Sequence, residues 1–162
     1  MNIGCRGDVK IEYLHGDKVY KTIKVKNTGR LPLFNYIARC LAGYYDINSC
    51  PKYLRMYHVV DATNIDPSTM FNDETTSSAI PVVNVSLSSS STESRVQFEF
   101  LVPFSTLSSQ KSSNVLAIYN TQNRARKDEP SAYLILSSED EIEESGDSNI
   151  KVVWTMIISN KD

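Results

Sequence analysis

Two histidines and three cysteines are the side chains here best suited to nucleophilic, acid–base or metal chemistry, and their spacing offers none of the usual arrangements. Cys5, Cys40 and Cys50 form no CxxC pair and no Cys/His set with zinc-ligand spacing, so they read as reduced thiols. Cys40 falls inside a helix-like pattern, where a free thiol behaves as a small hydrophobe. His15 belongs to the turn-like His15-Gly16-Asp17 and should be exposed. His58 falls in an alternating stretch and should be partly buried and hydrogen-bonded. A Ser-His or Cys-His pair could still be assembled from distant positions, because such sites are recognised by geometry and not by chain order. That reading requires a pocket that brings a histidine within hydrogen-bond reach of Ser, Cys or a carboxylate. With no GxSxG elbow and no glycine-rich phosphate loop among six glycines, the expectation is a non-enzyme without cofactor or metal.

The charged clusters are equally plain. Glu139, Asp140, Glu141, Glu143 and Glu144 lack the alternating spacing and the glycine of a calcium loop, so they suit a solvated face or a helix start after Ser138. Arg124, Arg126 and Lys127 form the one basic knot, suited to an acidic neighbour or a phosphate; without interleaved aromatics it favours protein over nucleic acid. Arg6-Gly7-Asp8 matches the integrin tripeptide, but three residues carry little information and no secretion signal accompanies them. Seventeen basic against 19 acidic residues give a formal charge of −2, which provides no electrostatic footprint for nucleic acid.

These residues must be carried by a mainly β framework. With 162 residues, 41% of them hydrophobic and 22% charged, the chain is expected to form one domain with a true core. No apolar run reaches the ~20 residues that span a bilayer, so no membrane association is expected. "GDVKIEYLHGDKVYKTIKVKN" sets Val9, Ile11 and Tyr13 at period two, breaks at residues 15–17 and resumes with Val19, Ile23 and Val25, an opening hairpin. Asn27-Thr28-Gly29 ends it. Pro32 then suits a first helical turn, Phe34, Ile37, Ala38 and Leu41 make one stripe, and Gly43 stands where a left-handed C-cap belongs, which predicts a short helix near residues 31–42. Such a helix is too short to stand alone and would cover the edge or end of a sheet.

Extended runs are expected at Leu54, Met56, His58 and Val60, at residues 80–87, 96–104, 115–119 and 133–136, and in the closing "NIKVVWTMIISN", with Ile150, Val152, Trp154, Met156 and Ile158 on one face. Residues 61–78 read as a surface loop, "SLSSSSTES" as a serine-rich loop, and residues 137–148 as an acidic loop. The resulting expectation is a single antiparallel β-sandwich or jelly-roll-like domain with one helix.

The order of these pieces, a hairpin running into "KNTGRLPLFNYIARCLAGYYD", then "CPKYLRMYHV", and late "VQFEFLVPFSTL" and "IKVVWTMIISN", resembles small virion structural proteins of tailed bacteriophages. The likeness is to those of gut Bacteroidetes phages of the crAss-like type. It covers most of the chain, with "NTG", "LAG" and "VWT" as its discrete anchors. It implies a capsid auxiliary, head-fibre or tail component, assembled in the host cytoplasm and located in the virion. The implied partners are other virion proteins (capsid, portal or tail subunits) and further copies of the chain. No catalytic residues carry over. Combined with the tyrosine-rich composition, the reading selects Phe34, Tyr36, Tyr44, Tyr45, Asp66, Met70, Phe71, Arg124, Arg126 and Lys127 as candidate interface residues. A second function class, a receptor- or carbohydrate-binding module at a tail or fibre tip, would use the 61–78 loop and exposed tyrosines.

Overall fold

A computed structural model describes residues 2–27, 43, 50–60, 79–103, 112–120, 130–143 and 148–161, with backbone alone at 2, 3, 160 and 161. The described elements are all strands: β1 (Asn2–His15), β2 (Lys18–Asn27), β3 (Tyr53–Tyr57), β4 (Ile80–Ser89), β5 (Glu93–Val102), β6 (Ser112–Ser113), β7 (Val115–Tyr119), β8 (Ala132–Ile135), β9 (Ile142–Glu143) and β10 (Asn149–Lys161). Every pairing among them is antiparallel, so the chain is mainly β. The expected helix near residues 31–42 and the 61–78 loop lie outside the described residues. Gly43 has φ +83°, the left-handed conformation expected of it.

The chain divides into two compact units. The first comprises Met1–Gly29, Val82–Phe104 and Ser145–Asp162. Its strands pair in the order β2-β1-β10-β5-β4, so the two ends of the chain are neighbours at its centre. Because paired residues share a face, the register sorts this sheet into two surfaces. Val9, Ile11 and Tyr13 of β1 stand beside Trp154, Val152 and Ile150 of β10, which stand beside Phe98, Phe100 and Val102 of β5. All nine are buried, as is Ile23 opposite Ile11. The period-two pattern of the sequence therefore marks this core face correctly. Gly7 is a close-approach position on it: a Cβ there would lie 3.3 Å from the Asn27 carbonyl oxygen and 3.6 Å from Trp154 Nε1. The tight approach is to the Asn27 carbonyl, while the indole would lie at ordinary contact distance from such a Cβ.

The opposite surface is polar. It carries Asp8, Lys10 and Glu12 on β1, Lys24 and Lys26 on β2, and Gln97 and Glu99 on β5. Lys10 Nζ meets Glu12 at 2.7 Å, Lys151 Nζ meets Glu99 at 3.5 Å, and Gln97 Nε2 donates to Thr155 Oγ1 at 3.2 Å. Val153 and Thr155 are buried at the middle of this surface, under the long stems of their neighbours.

The second unit comprises Arg30–Pro81 and Ser105–Glu144. Here β7 lies between β3 and β8, and β6 pairs with β9. Val115 to Tyr119 are all fully buried, the continuous apolar run of a strand covered on both faces. The hydroxyls of Tyr57 and Tyr119 meet at 2.6 Å inside the cluster formed with Val115 and Ala117. Ile80 and Pro81, at the start of β4, pair with Leu54 and Tyr53.

Three sequence expectations are corrected. The strand through Leu54 and Met56 stops at Tyr57, and Val60 is 97% exposed. Beyond Tyr57, the side chain of Asn114 replaces a strand: its Oδ1 accepts from Val59 N–H at 2.8 Å and its Nδ2 donates to Val59 C=O at 2.7 Å. The serine-rich stretch read as a loop is largely two hairpin arms. Only residues 90–92 turn, while Ser86 and Gln97, and Ser89 and Ser94, bond across the strands at 3.4 and 3.2 Å. The start of the acidic stretch is a turn, in which Ser137 C=O accepts from Asp140 N–H at 3.0 Å, and not a helix start. Two residues later β9 buries Ile142 completely.

Candidate functional site

Two surfaces of the first unit stand out, and both follow from how its strands end. The first is the outer edge of β4. Residues 82–89 pair with β5 on one side and, among the described residues, with nothing on the other. A bulge between Val82 and Asn84 disturbs the start of this run, leaving residues 84–89 as a regular arm. The hairpin closes with Ser90 N–H donating to Glu93 C=O at 2.8 Å, while Ser90 Oγ accepts from Thr92 N–H at 3.3 Å and Glu93 N–H at 3.1 Å. That closing bond fixes the alternation along the arm. Ser88, Ser86 and Asn84 direct their backbone groups toward β5, and Val85, Leu87 and Ser89 direct theirs outward.

The side chains on this edge are unusual for a strand of its length. Val83, Val85 and Leu87 are 60%, 53% and 72% exposed. No charged residue occurs between Ile80 and Thr92. β2, the edge strand at the far side of this unit, carries Lys18, Lys21, Lys24 and Lys26. Lysines on an edge oppose pairing with another strand; β4 has no such guard beyond Pro81 and the bulge.

The second surface is a cleft of about 510 Å³ on the polar face, with Lys10, Lys24, Lys26, Arg95, Gln97 and Asp8 among its lining residues. Four cations face one carboxylate. Lys10 is engaged by Glu12 and Arg95 by Glu93, whereas Lys24 and Lys26 are exposed and make no ion pair among the described residues. Asp8 Oδ1, although buried, has no hydrogen-bond partner among the described residues. This cleft suits an anionic group by charge.

The ten candidate interface residues selected from the sequence, Phe34, Tyr36, Tyr44, Tyr45, Asp66, Met70, Phe71, Arg124, Arg126 and Lys127, lie outside the described residues. His15 is exposed at the end of β1, paired with Lys18 across the Gly16-Asp17 turn and not within it, and meets the Tyr20 ring edge-on at 6.0 Å. His58 is half-buried, and its Nδ1 lies 3.1 Å from Ser112 Oγ. A histidine and a serine thus come within reach across 54 residues. Neither residue lines the lysine cleft or the small hollow at the β4–β5 turn. The arrangement reads as a bond between strand ends.

Arg6, Gly7 and Asp8 lie mid-strand in β1 and not on a presenting loop, which removes the geometry an integrin-type tripeptide needs. Burial raises the Cys5 thiol above its ordinary pKa, opposite to a reactive cysteine. Among the described residues no group of three His, Cys, Asp or Glu side chains could hold a metal ion. The β4 edge and the lysine cleft were not selected from the sequence. The available signals were the absence of charge over residues 80–92 beside a lysine-studded β2. Compared with protein-family models, curated proteins and solved structures, the chain finds no match in any of the three.

Proposed function

We propose that this chain is a non-enzymatic assembly module, a structural component of a tailed-phage virion that attaches to capsid or head–tail neighbours through protein–protein interfaces. The observation that carries the reading is the β4 arm, whose outward N–H and C=O groups and exposed Val85 and Leu87 form a template for strand addition. The motif order resembling virion proteins supports the source of the partners. In this reading the sheets close as a β-sandwich or jelly-roll-like body, with the helix near residues 31–42 covering one end. The test is co-sedimentation of the purified chain with separately purified capsid, portal and tail subunits of the phage that encodes it. Stable co-migration with at least one is expected. No co-migration, together with a monomeric chain at every concentration, would remove the reading.

A ligand-binding module is the alternative, and the lysine cleft favours an anionic ligand for it. Neutral-sugar stacking is disfavoured, because the single Trp154 is buried at 1% exposure. Titration calorimetry with sulfated and uronic-acid glycans tests this alternative. Binding that Lys24→Ala/Lys26→Ala abolishes would support it, and absence of heat from all ligands would discard it.

A further inference from the structure

We propose that the occupant of the β4 edge is a second copy of this chain, joined by antiparallel β4–β4 pairing about a two-fold axis through Ser86. This inference names the partner within the assembly reading and rests on it.

The argument is one of self-complementarity. A two-fold interface sets each residue against its symmetry mate, so any charge on the axis would face its like. The arm has none, since residues 80–92 are uncharged, whereas β2 against β2 would oppose lysine to lysine. With Ser86 on the axis, Val85 of one copy faces Leu87 of the other, and Asn84 faces Ser88. Apolar side chains then meet on the core face, which holds Phe98 opposite Val85 and Val96 opposite Leu87. Serine and asparagine meet on the polar face, beside Gln97 and Arg95.

Backbone geometry selects the same register. Val85 and Leu87 are the residues whose N–H and C=O groups point outward, and a directly opposed pair of such residues exchanges both bonds. The Ser86 axis makes Val85 and Leu87 that pair, twice. It also keeps the bulge between Val82 and Asn84 outside the paired segment. β3 pairs with this side of β4 at Ile80 and Pro81, likewise outside the paired segment.

Because Ser86 would occupy a non-hydrogen-bonded pair, where Cα atoms stand about 4.5 Å apart, a cysteine there is placed to form a disulfide with its own copy. Ser86→Cys should cross-link to a dimer under mild oxidation. Ser88→Cys alone should not, and Asn84→Cys mixed with Ser88→Cys should. In parallel, Leu87→Lys should weaken dimerisation at least 100-fold in sedimentation equilibrium. Val19→Lys, at an exposed apolar position on β2, should leave it unchanged. Circular dichroism of each variant checks that the strands remain. A dimer that Leu87→Lys leaves intact, or that Ser86→Cys does not cross-link, overturns the β4 assignment while the assembly reading stands on another surface. A monomeric chain that still binds capsid, portal or tail subunits has the same effect. A monomer that binds none of them removes both.

Discussion

Trp154 sits where the first unit is most demanding of shape. It is the only tryptophan, it is 1% exposed, and it stands between Val9 and Phe98 with its indole against Gly7. Trp154→Ala is expected to lower stability by about 3–5 kcal/mol, because the cavity forms among strands that cannot easily collapse. Its denaturant midpoint, at unchanged slope, measures this. Asn114 makes a different demand. Its amide substitutes for a strand by satisfying both backbone groups of Val59, while its own N–H donates to Tyr57 C=O at 3.0 Å and its C=O accepts from Leu136 N–H at 2.8 Å. Asn114→Ala should therefore cost about 1–3 kcal/mol, with fast hydrogen exchange appearing at the Val59 amide. No reading of sequence finds this residue, since its partner is 55 positions away and asparagine is ordinary in loops. Trp154 was legible, because it falls on the apolar phase of a period-two run.

At the scale of elements, the same contrast separates β10 and β1 from β4. β1 alternates polar and apolar residues from Asp8 to Tyr13, and β10 keeps Ile150, Val152, Trp154, Met156 and Ile158 on one phase, although Val153, Thr155 and Ile157 on the other phase are buried too. The serines of β4 are exposed and carry little strand preference, so composition points to a loop. What makes the arm a strand is its neighbour β5 and the turn at residues 90–93. Ser90 is the residue that closes this turn, taking two N–H groups on one hydroxyl. Ser90→Ala is expected to destabilise the hairpin by about 1 kcal/mol, read as faster native-state exchange in residues 84–97 with little change in β1 and β10. Replacing exposed Lys24 with Ala should instead change stability by no more than about 0.5 kcal/mol, as thermal unfolding would measure.

For the molecule as a whole, the two ends of the chain and the central hairpin of residues 82–104 build one unit and the two stretches between them build another, a division that composition does not reveal. Strand pairing between Asn2 and Lys161 brings the two ends together through hydrogen bonds, which no local pattern encodes. The mainly β character was legible from alternation; the candidate surface was not, because a sheet edge is defined by what fails to pair with it. The account's central claim is that this edge makes the chain a building block. The most direct test is the mass of the wild-type chain by light scattering over a wide concentration range. The account predicts a species twice the 18.2 kDa of one chain, dissociating on dilution. A mass of one chain at every concentration, alone and with virion subunits, would contradict it.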